Sequence, residues 1–364
     1  MLYKFLYYLK DVFFGFNVFH YTTFRAVLAA ISAFLFTVCL TPFFIRKLSQ
    51  LRVYQYIRDK SVSEKLYSLH KNKEGTPTMG GIIILSAIIF SVLCWADMAN
   101  KYIQLSLFCI LWLGVVGFAD DYLKLVRKRS NGLTVTMKLI GQVVLGLIIG
   151  ILLYFDNSVS TRMDIPFLKN VVVNLGVFYV FFVMLVIIGS SNAVNITDGL
   201  DGLATGCTAI AALTYAVFSY ITGHVIFSEY LHIIYVPQAG ELSVLCAAIA
   251  GAGFGFLWFN CFPASIFMGD TGSLALGGVI GAVAVFIKKE LLLVMVGGIF
   301  VVEALTVLLQ ITVYRFCGGK RLFLIAPLHH HFQVKGWAES KVTVRFWLIA
   351  ILLAILSLST LKLR

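Results

Sequence analysis

Ten apolar segments account for most of this sequence, and each is about long enough to cross a bilayer. A transmembrane helix needs about 20 largely apolar residues. The chain is 60% hydrophobic and 13% charged, whereas soluble domains are about 25% charged. The segments cover residues 24–45, 80–96, 103–119, 137–155, 171–190, 203–221, 242–259, 272–288, 291–314 and 343–361. We therefore predict an all-α, polytopic integral membrane protein with about ten transmembrane helices, forming a single transmembrane domain over residues 1–364.

The net charge of +12 raises the question of a nucleic-acid partner, and the positions of the charges answer it. The basic residues concentrate in loop 46–78, in the loop that follows Asp121, and near 315–345. Ten spans place all three loops on one face, which the positive-inside rule makes cytoplasmic. We expect no nucleic-acid partner. Residues 1–21, rich in Tyr and Phe, are predicted to form an interfacial helix.

Three polar stretches at the ends of spans carry five aspartates to that same face. They are FADDYLK at 118–124, SSNAVNITDGLDG at 190–202 and FNCFPASIFMGDTGS at 259–273. Acids at the end of a hydrophobic span must be solvated, paired or bound to a metal. Lys124 could instead form an ordinary surface pair with Asp120 at i,i+4. Asp270 could simply cap the following helix.

Other polar groups on this face suit phosphate. Lys73 and Thr78 lie in the glycine-rich stretch HKNKEGTPTMGG at 70–81, where cations and hydroxyls could meet phosphate oxygens; an ordinary basic loop is the alternative. Three consecutive histidines at 329–331 cannot all bind one zinc ion, so we expect one or two to bind phosphate or carboxylate. Glu303, inside an apolar run, is interpreted as a buried brace between helices.

The acids and bases together indicate a class of chemistry. Mg²⁺ prefers oxygen ligands and is usually held by one or two carboxylates plus substrate phosphates. A site at the membrane boundary is open to a soluble donor from water and to a lipid acceptor from the bilayer. The residues therefore predict metal-dependent phosphoryl transfer with a membrane lipid.

Five motifs carry a more specific resemblance, which runs from about residue 20 to the C-terminus. HKNKEGTPTMGG, FADDYLK, NAVNITDGLDGLA, GFLWFNCFPASIFMGDTGSLALGG and APLHHHFQVKGW together resemble the phospho-N-acetylmuramoyl-pentapeptide transferases, the MraY translocases. The resemblance implies transfer of phospho-MurNAc-pentapeptide from UDP-MurNAc-pentapeptide to undecaprenyl phosphate, giving lipid I and UMP, with Mg²⁺ required. It also implies a homodimer in the bacterial cytoplasmic (inner) membrane, with its active site facing the cytoplasm.

The resemblance also assigns residues. Asp270 is similar to the family's magnesium-binding aspartate, and Asp120 to the residue proposed to deprotonate the lipid phosphate. Asp121 is expected to assist in placing charge or metal, so that all three form the metal set. His329 completes the catalytic set. The substrate-binding positions are Lys73, Thr78, Lys124 and Lys138 around the diphosphate, Asn195, Asp198 and Asp201 in the nucleotide and metal pocket, Leu200, Asn260 and Phe267 near the uridine, and His330 in the histidine-rich loop.

Alternatives remain at this level. A sister enzyme that uses UDP-N-acetylglucosamine would share most of these motifs. A transporter would also carry intramembrane acids, although its site would lie near the midplane rather than at span ends. The lipid phosphate could attack the donor directly, which we favour, or the reaction could pass through an aspartyl-phosphate.

Overall fold

The computed structural model describes residues 2–50, 73, 75–127, 132–165 and 172–362. Within these ranges nine helices are long and apolar enough to cross a membrane, so the predicted all-helical, multi-pass architecture is confirmed. The helices are α1 (Leu2–Tyr8), α2 (Thr22–Gln50), α3 (Gly81–Trp95), α4 (Lys101–Arg127), α5 (Val135–Phe155), α6 (Phe178–Thr197), α7 (Leu203–Thr222), α8 (Val225–Tyr230), α9 (Leu242–Asn260), α10 (Gly269–Phe286), α11 (Leu293–Val296), α12 (Gly298–Phe316), α13 (Leu328–Val334) and α14 (Glu339–Ser359). Residues 51–72, which hold most of the first basic loop, and 128–131 lie outside the described ranges.

Helix α3 fills the place of the second predicted span but is short. Its 15 residues extend about 22 Å at 1.5 Å per residue, against a hydrocarbon core of about 30 Å. The start of α3 is fixed to the segment before α10, because the Gly80 N–H donates to the Phe267 carbonyl and the Gly81 N–H to the Met268 carbonyl, each at 2.8 Å. The glycine-rich motif at 75–81 thus lies beside the stretch that carries Asp270.

Helix α10 is the most buried long helix, and it positions the candidate site. Gly281 packs so closely on α6 that a Cβ there would meet the Ser190 side chain, and a Cβ at Gly117 of α4 would meet the Asp270 backbone. Small residues allow such backbone approach between membrane helices. This close packing brings Asp270 beside the end of α4.

The N-terminal segment is helical in pieces. Helix α1 is followed by 3₁₀ turns at Leu9–Asp11 and Phe14–His20, where we predicted one helix over residues 1–21. The break lies at Val12–Phe13, and Phe13 has extended backbone angles. Phe5, Tyr8 and Phe14 are exposed, which is the aromatic surface that the interfacial prediction requires.

A small sheet and a buried ion pair lie beyond the other end of α10. Strands β1 (Arg162–Asp164) and β2 (Val172–Asn174) pair antiparallel. Asp164 of β1 is buried and lies 2.7 Å from the Lys289 ammonium group. The two buried charges satisfy each other, because a charge removed from water is costly unless a partner of opposite sign lies beside it.

Glu290, next to Lys289, gives a stability prediction. Burial raises the pKa of Glu290 to about 7, against the opposing effect of the Lys288 charge. The folded protein therefore binds this proton more tightly than the unfolded chain, so stability should fall as the pH rises from about 4.5 to about 7. Glu290→Gln should remove this loss, which is on the order of 3 kcal/mol, while the lowered pKa of Lys288 acts only above about pH 8.

The measurement is the unfolding temperature in detergent at pH 5 and pH 8 for the wild type and the variant. Asp156→Asn is the control, because Lys101 lowers the pKa of Asp156 to about 2 and its contribution therefore changes only below this window. Parallel curves for the wild type and Glu290→Gln would show that Glu290 has no such linkage.

Candidate active site

Three of the predicted acids meet at one end of the helix bundle. Asp120 and Asp121 lie in the last turns of α4, and Asp270 is the second residue of α10. One oxygen of each carboxylate lies within 4.8 Å of the others. Asp120 and Asp121 are buried, and Asp270 is partly exposed. The structure therefore brings together the three residues that were predicted to form the metal set.

Asp121 holds the start of α10. Its Oδ1 accepts the backbone N–H of Asp270 at 3.2 Å, and its Oδ2 accepts the N–H and the hydroxyl of Thr271 at 3.0 and 2.7 Å. A carboxylate at a helix N-terminus satisfies N–H groups that have no partner within the helix. Gly269 is required here, since its φ is +75° and a Cβ would meet Asp121 and Thr78. Asp121 thus fixes Asp270, and Asp270 does not cap its own helix.

Two lysines bridge Asp120 and Asp270. The Lys124 ammonium group lies 2.6 Å from Asp120 Oδ2 and 3.1 Å from Asp270 Oδ2. The Lys138 ammonium group lies 2.5 Å from Asp270 Oδ2 and 3.4 Å from Asp120 Oδ1. Asp120 Oδ1 also accepts the Leu133 N–H at 2.8 Å. The i,i+4 pair between Asp120 and Lys124 is present, and Lys124 also contacts Asp270 of α10.

Two further polar residues of the predicted site, Asn195 and Asp198, lie at the end of α6. Asn195 donates from Nδ2 to Asp270 Oδ1 at 3.0 Å and to the Ser273 hydroxyl at 2.8 Å. Asp198 follows directly after α6. Burial, and then the negative charges of Asp270 and Asp121, raise the pKa of Asp198 to about 8. The charges of Asp270 and Asp121 therefore act on Asp198, whose role in a nucleotide and metal pocket stays a prediction.

Asp201, three residues later, belongs to a different group. Its Oδ1 lies 2.6 Å from the Lys73 ammonium group, and its Oδ2 accepts the Ala264 N–H at 3.0 Å. Glu339 lies 2.5 Å from the same ammonium group and accepts the Asp201 N–H at 2.9 Å. The sequence analysis missed Glu339. Its position at the start of the last span, on the same predicted face as the acids, was the available signal.

Of the three residues predicted near the uridine, one lies beside Lys73 and two are buried. Asn260 is buried, accepts the Thr205 hydroxyl at 3.1 Å and donates to the Ile266 carbonyl at 2.8 Å, so it shapes the turn at 261–267. The Phe267 ring centroid lies 5.8 Å from the Lys73 ammonium group. Leu200 is buried. These contacts place Asn260 and Leu200 beneath the surface, and Phe267 next to Lys73.

The histidine-rich loop contacts Glu303 and the loop after α6. His329 is fully buried, with Nδ1 3.1 Å from Glu303 Oε2, and a Cβ at Gly199 would meet its Nε2. His330 contacts Gln333 Oε1 through Nδ1 at 2.9 Å. His329 lies beside a carboxylate, but neither of its ring nitrogens makes a hydrogen bond within the described part of the chain, so the predicted binding of phosphate or carboxylate by a histidine stays a prediction. The catalytic role of His329 also stays a prediction, since its buried ring touches the loop after α6 and the structure gives it no contact with the acid cluster among the described residues.

The fold and the site define a multi-pass membrane protein with a cluster of acids and lysines at one end of its helix bundle. Comparison of the sequence with those of known proteins identifies the family. The chain matches glycosyl transferase family 4 over residues 103–288 and phospho-N-acetylmuramoyl-pentapeptide-transferase signature 1 over residues 73–85. Proteins named phospho-N-acetylmuramoyl-pentapeptide-transferase from Thermodesulfovibrio yellowstonii, Desulfatibacillum aliphaticivorans and Citrifermentans bemidjiense are 50%, 51% and 51% identical, each over 100% of both chains. The chain therefore belongs to the phospho-N-acetylmuramoyl-pentapeptide-transferase family, and it is an enzyme, a phosphoglycosyl transferase.

Proposed function

We propose that this enzyme transfers phospho-MurNAc-pentapeptide from its UDP carrier to undecaprenyl phosphate, giving lipid I and UMP. Full-length relatives that carry the name of this transferase support the proposal. The observation that carries it is the meeting of Asp120, Asp121 and Asp270 with Lys124 and Lys138 at one end of the bundle. Transfer between two phosphates requires such an arrangement, because negative charge must be both positioned and neutralised.

The donor set fits a Mg²⁺ ion, which we propose as the cofactor. Mg²⁺ is commonly held by one or two carboxylates together with substrate phosphates. Asp120 and Asp270 would supply these, since both oxygens of Asp121 already accept groups of α10. When bound, the ion would neutralise the donor's diphosphate and polarise its phosphoryl oxygens.

Two lysines of the cluster can bind and orient the donor. Lys124 and Lys138 lie on the carboxylates, from where they can neutralise the donor diphosphate and orient it. In direct attack an oxygen of the lipid phosphate forms the bond to the donor's β-phosphorus, and the bond to UMP breaks. We favour this route, because crowded carboxylates repel an anionic phosphate and are better suited to positioning a cation than to attacking phosphorus.

The same proposal includes the location and assembly of the enzyme. Basic residues flank the acid-bearing ends of the helices, as in Arg46 and Lys47 of α2 and Arg315 of α12. By the positive-inside rule we propose that this face is cytoplasmic, in the bacterial inner membrane. The homodimer that the family resemblance implies belongs to the proposal as well.

Donor competition tests the proposal directly. Purified enzyme in detergent, given undecaprenyl phosphate and Mg²⁺, should release UMP from UDP-MurNAc-pentapeptide and form one lipid product. UDP-GlcNAc at the same concentration should give less than about a hundredth of that rate, a ratio within reach of a site that hydrogen-bonds one substrate and not the other. UMP is quantified by chromatography, and samples with excess EDTA report metal dependence.

Two other results would contradict the proposal. A preference for UDP-GlcNAc would make the chain a sister GlcNAc-1-phosphate transferase. Absence of UMP release from either donor, in a preparation that is folded and has no membrane compartments, would leave transport as the activity to be tested.

A further inference from the structure

Glu303 lies fully buried in α12, and its carboxylate is engaged from one direction. Oε2 accepts the Leu328 N–H at 2.8 Å, and Oε1 accepts the His329 N–H at 3.1 Å. These are the first two residues of α13. A buried carboxylate is costly unless groups of opposite polarity surround it. Glu303 therefore fixes the start of the short helix that carries the three histidines.

The same carboxylate also lies against the ring of His329. The Nδ1 atom lies 3.1 Å from Glu303 Oε2, and neither side chain has any exposed surface. The His330 ring packs on it edge to face, with centroids 4.2 Å apart. The ring is thus bounded by Glu303 on its Nδ1 side and by His330 across its face.

The other nitrogen of His329 faces the loop between α6 and α7. A Cβ built on Gly199 would meet Nε2 first and then the neighbouring ring carbons. Gly199 is flanked by Asp198 and Leu200, and Asp201 follows. The C-terminal part of this loop has separate contacts. Lys73 and Glu339 contact Asp201, and Trp347 Nε1 donates to the Gly202 carbonyl at 3.2 Å. The His329 ring packs against the N-terminal part of the loop, at Gly199.

We propose that Glu303 is a positioning residue, which fixes the His329 ring against Gly199 and thereby sets the loop from Asp198 to Asp201 for binding of the nucleotide donor. This inference rests on the proposed function, together with the family resemblance, which implies that Asp198 and Asp201 line the nucleotide and metal pocket. It gives Glu303 and His329 a role in the reaction that requires neither side chain to touch a substrate. It also accounts for a glycine at position 199, where a Cβ would clash with His329 Nε2.

A role in positioning differs from a role in stability alone by its effect on the two substrates. A misplaced loop should raise the KM for the donor and leave the KM for the lipid phosphate unchanged. A general loss of packing should lower the melting temperature and affect both. In addition, Glu303 and Gly199 should be coupled through His329, and coupled residues show non-additive effects.

The experiment is a double-mutant cycle on the full-length enzyme in detergent. We expect Glu303→Gln and Gly199→Ala each to raise the donor KM about tenfold, with the acceptor KM within twofold of the wild type. The double variant should stay near tenfold, because a released ring can move away from the added methyl group. Gln310→Leu is the matched control. Gln310 also lies in α12 and holds backbone groups of another loop, at Leu322 and Phe323, so it should leave both KM values within twofold.

Several results would overturn the inference. They are a hundredfold rise in the double variant, equal changes in both KM values, or no change in the donor KM of Glu303→Gln. If Glu303→Gln does not fold, His329→Ala takes its place in the cycle. It leaves room for the methyl group, and the same lack of additivity is expected. Failure of the proposed function is distinct, since the wild-type enzyme itself would then release no UMP from UDP-MurNAc-pentapeptide.

Discussion

Replacing Asp270 with asparagine should lower turnover by about a thousandfold, the upper range for losing one group that stabilises developing charge. Asparagine keeps the shape of the side chain and can still accept from Asn195. It removes the charge that faces Lys124 at 3.1 Å and Lys138 at 2.5 Å and that, in the proposed function, would hold Mg²⁺. The measurement is UMP release at saturating substrates over a Mg²⁺ titration, with the melting temperature recorded on the same preparation.

A matched aspartate at the other end of the bundle provides the control. Asp156 lies 2.5 Å from the Lys101 ammonium group and is partly exposed, so Asp156→Asn also removes one charge from an aspartate–lysine pair. Its turnover should stay within twofold of the wild type. If Asp270→Asn retained more than a tenth of wild-type turnover, the acid cluster would have to be assigned another role.

The helical architecture was predictable because it depends on local composition. Segment length and apolarity alone determine which stretches can cross a bilayer, and α4, α7 and α9 lie where the sequence placed spans 3, 6 and 7. The sequence misplaced the starts of the fifth and ninth spans. The fifth was predicted from residue 171, whereas Val172–Asn174 form a strand and α6 begins at Phe178. The ninth was predicted from residue 291, whereas Gly297 separates the short helix α11 from α12.

The meeting of Asp120, Asp121 and Asp270 was also predictable, because alternating spans place their polar ends on one face. Which acids face one another was not. Asp198 and Asp201 are three residues apart, yet the pKa of Asp198 is raised by burial and by the charges of Asp270 and Asp121, whereas Asp201 is paired with Lys73. The sequence places both residues in one motif, and only the structure shows that their surroundings differ.

Buried partners from distant parts of the chain were beyond sequence reasoning. Lys73 and Glu339 are 266 residues apart, and Asp164 and Lys289 are 125 apart. A single sequence shows that a charge must be satisfied but not by which residue. The three histidines illustrate the same limit, since identical neighbours become distinct only when one of them meets Glu303.

Removing the charge of Lys73 should have the second large effect. Its ammonium group is shared by Asp201 at 2.6 Å and Glu339 at 2.5 Å, and all three side chains are largely buried. Lys73→Met keeps the aliphatic stem but leaves two facing carboxylates without their cation, which should cost about 3 kcal/mol of stability. The donor KM should also rise at least tenfold, because Lys73 contacts both Asp201 and the Phe267 ring, and without it these two parts of the site are no longer connected. Thermal unfolding and donor titrations of UMP release measure the two effects.

A second substitution separates these two consequences. Adding Glu339→Gln to Lys73→Met removes one of the opposed carboxylates while the glutamine oxygen can still accept the Asp201 N–H, which Glu339 accepts at 2.9 Å. The double variant should therefore recover a substantial part of the lost melting temperature, because truncating one member of a buried pair is costly mainly through the charge left behind. The donor KM should stay high, since no cation has been restored. If Lys73→Met left both the melting temperature and the donor KM unchanged, Lys73 would be an ordinary surface lysine. If the double variant were the less stable of the two, charge repulsion between Asp201 and Glu339 would not be what Lys73 relieves.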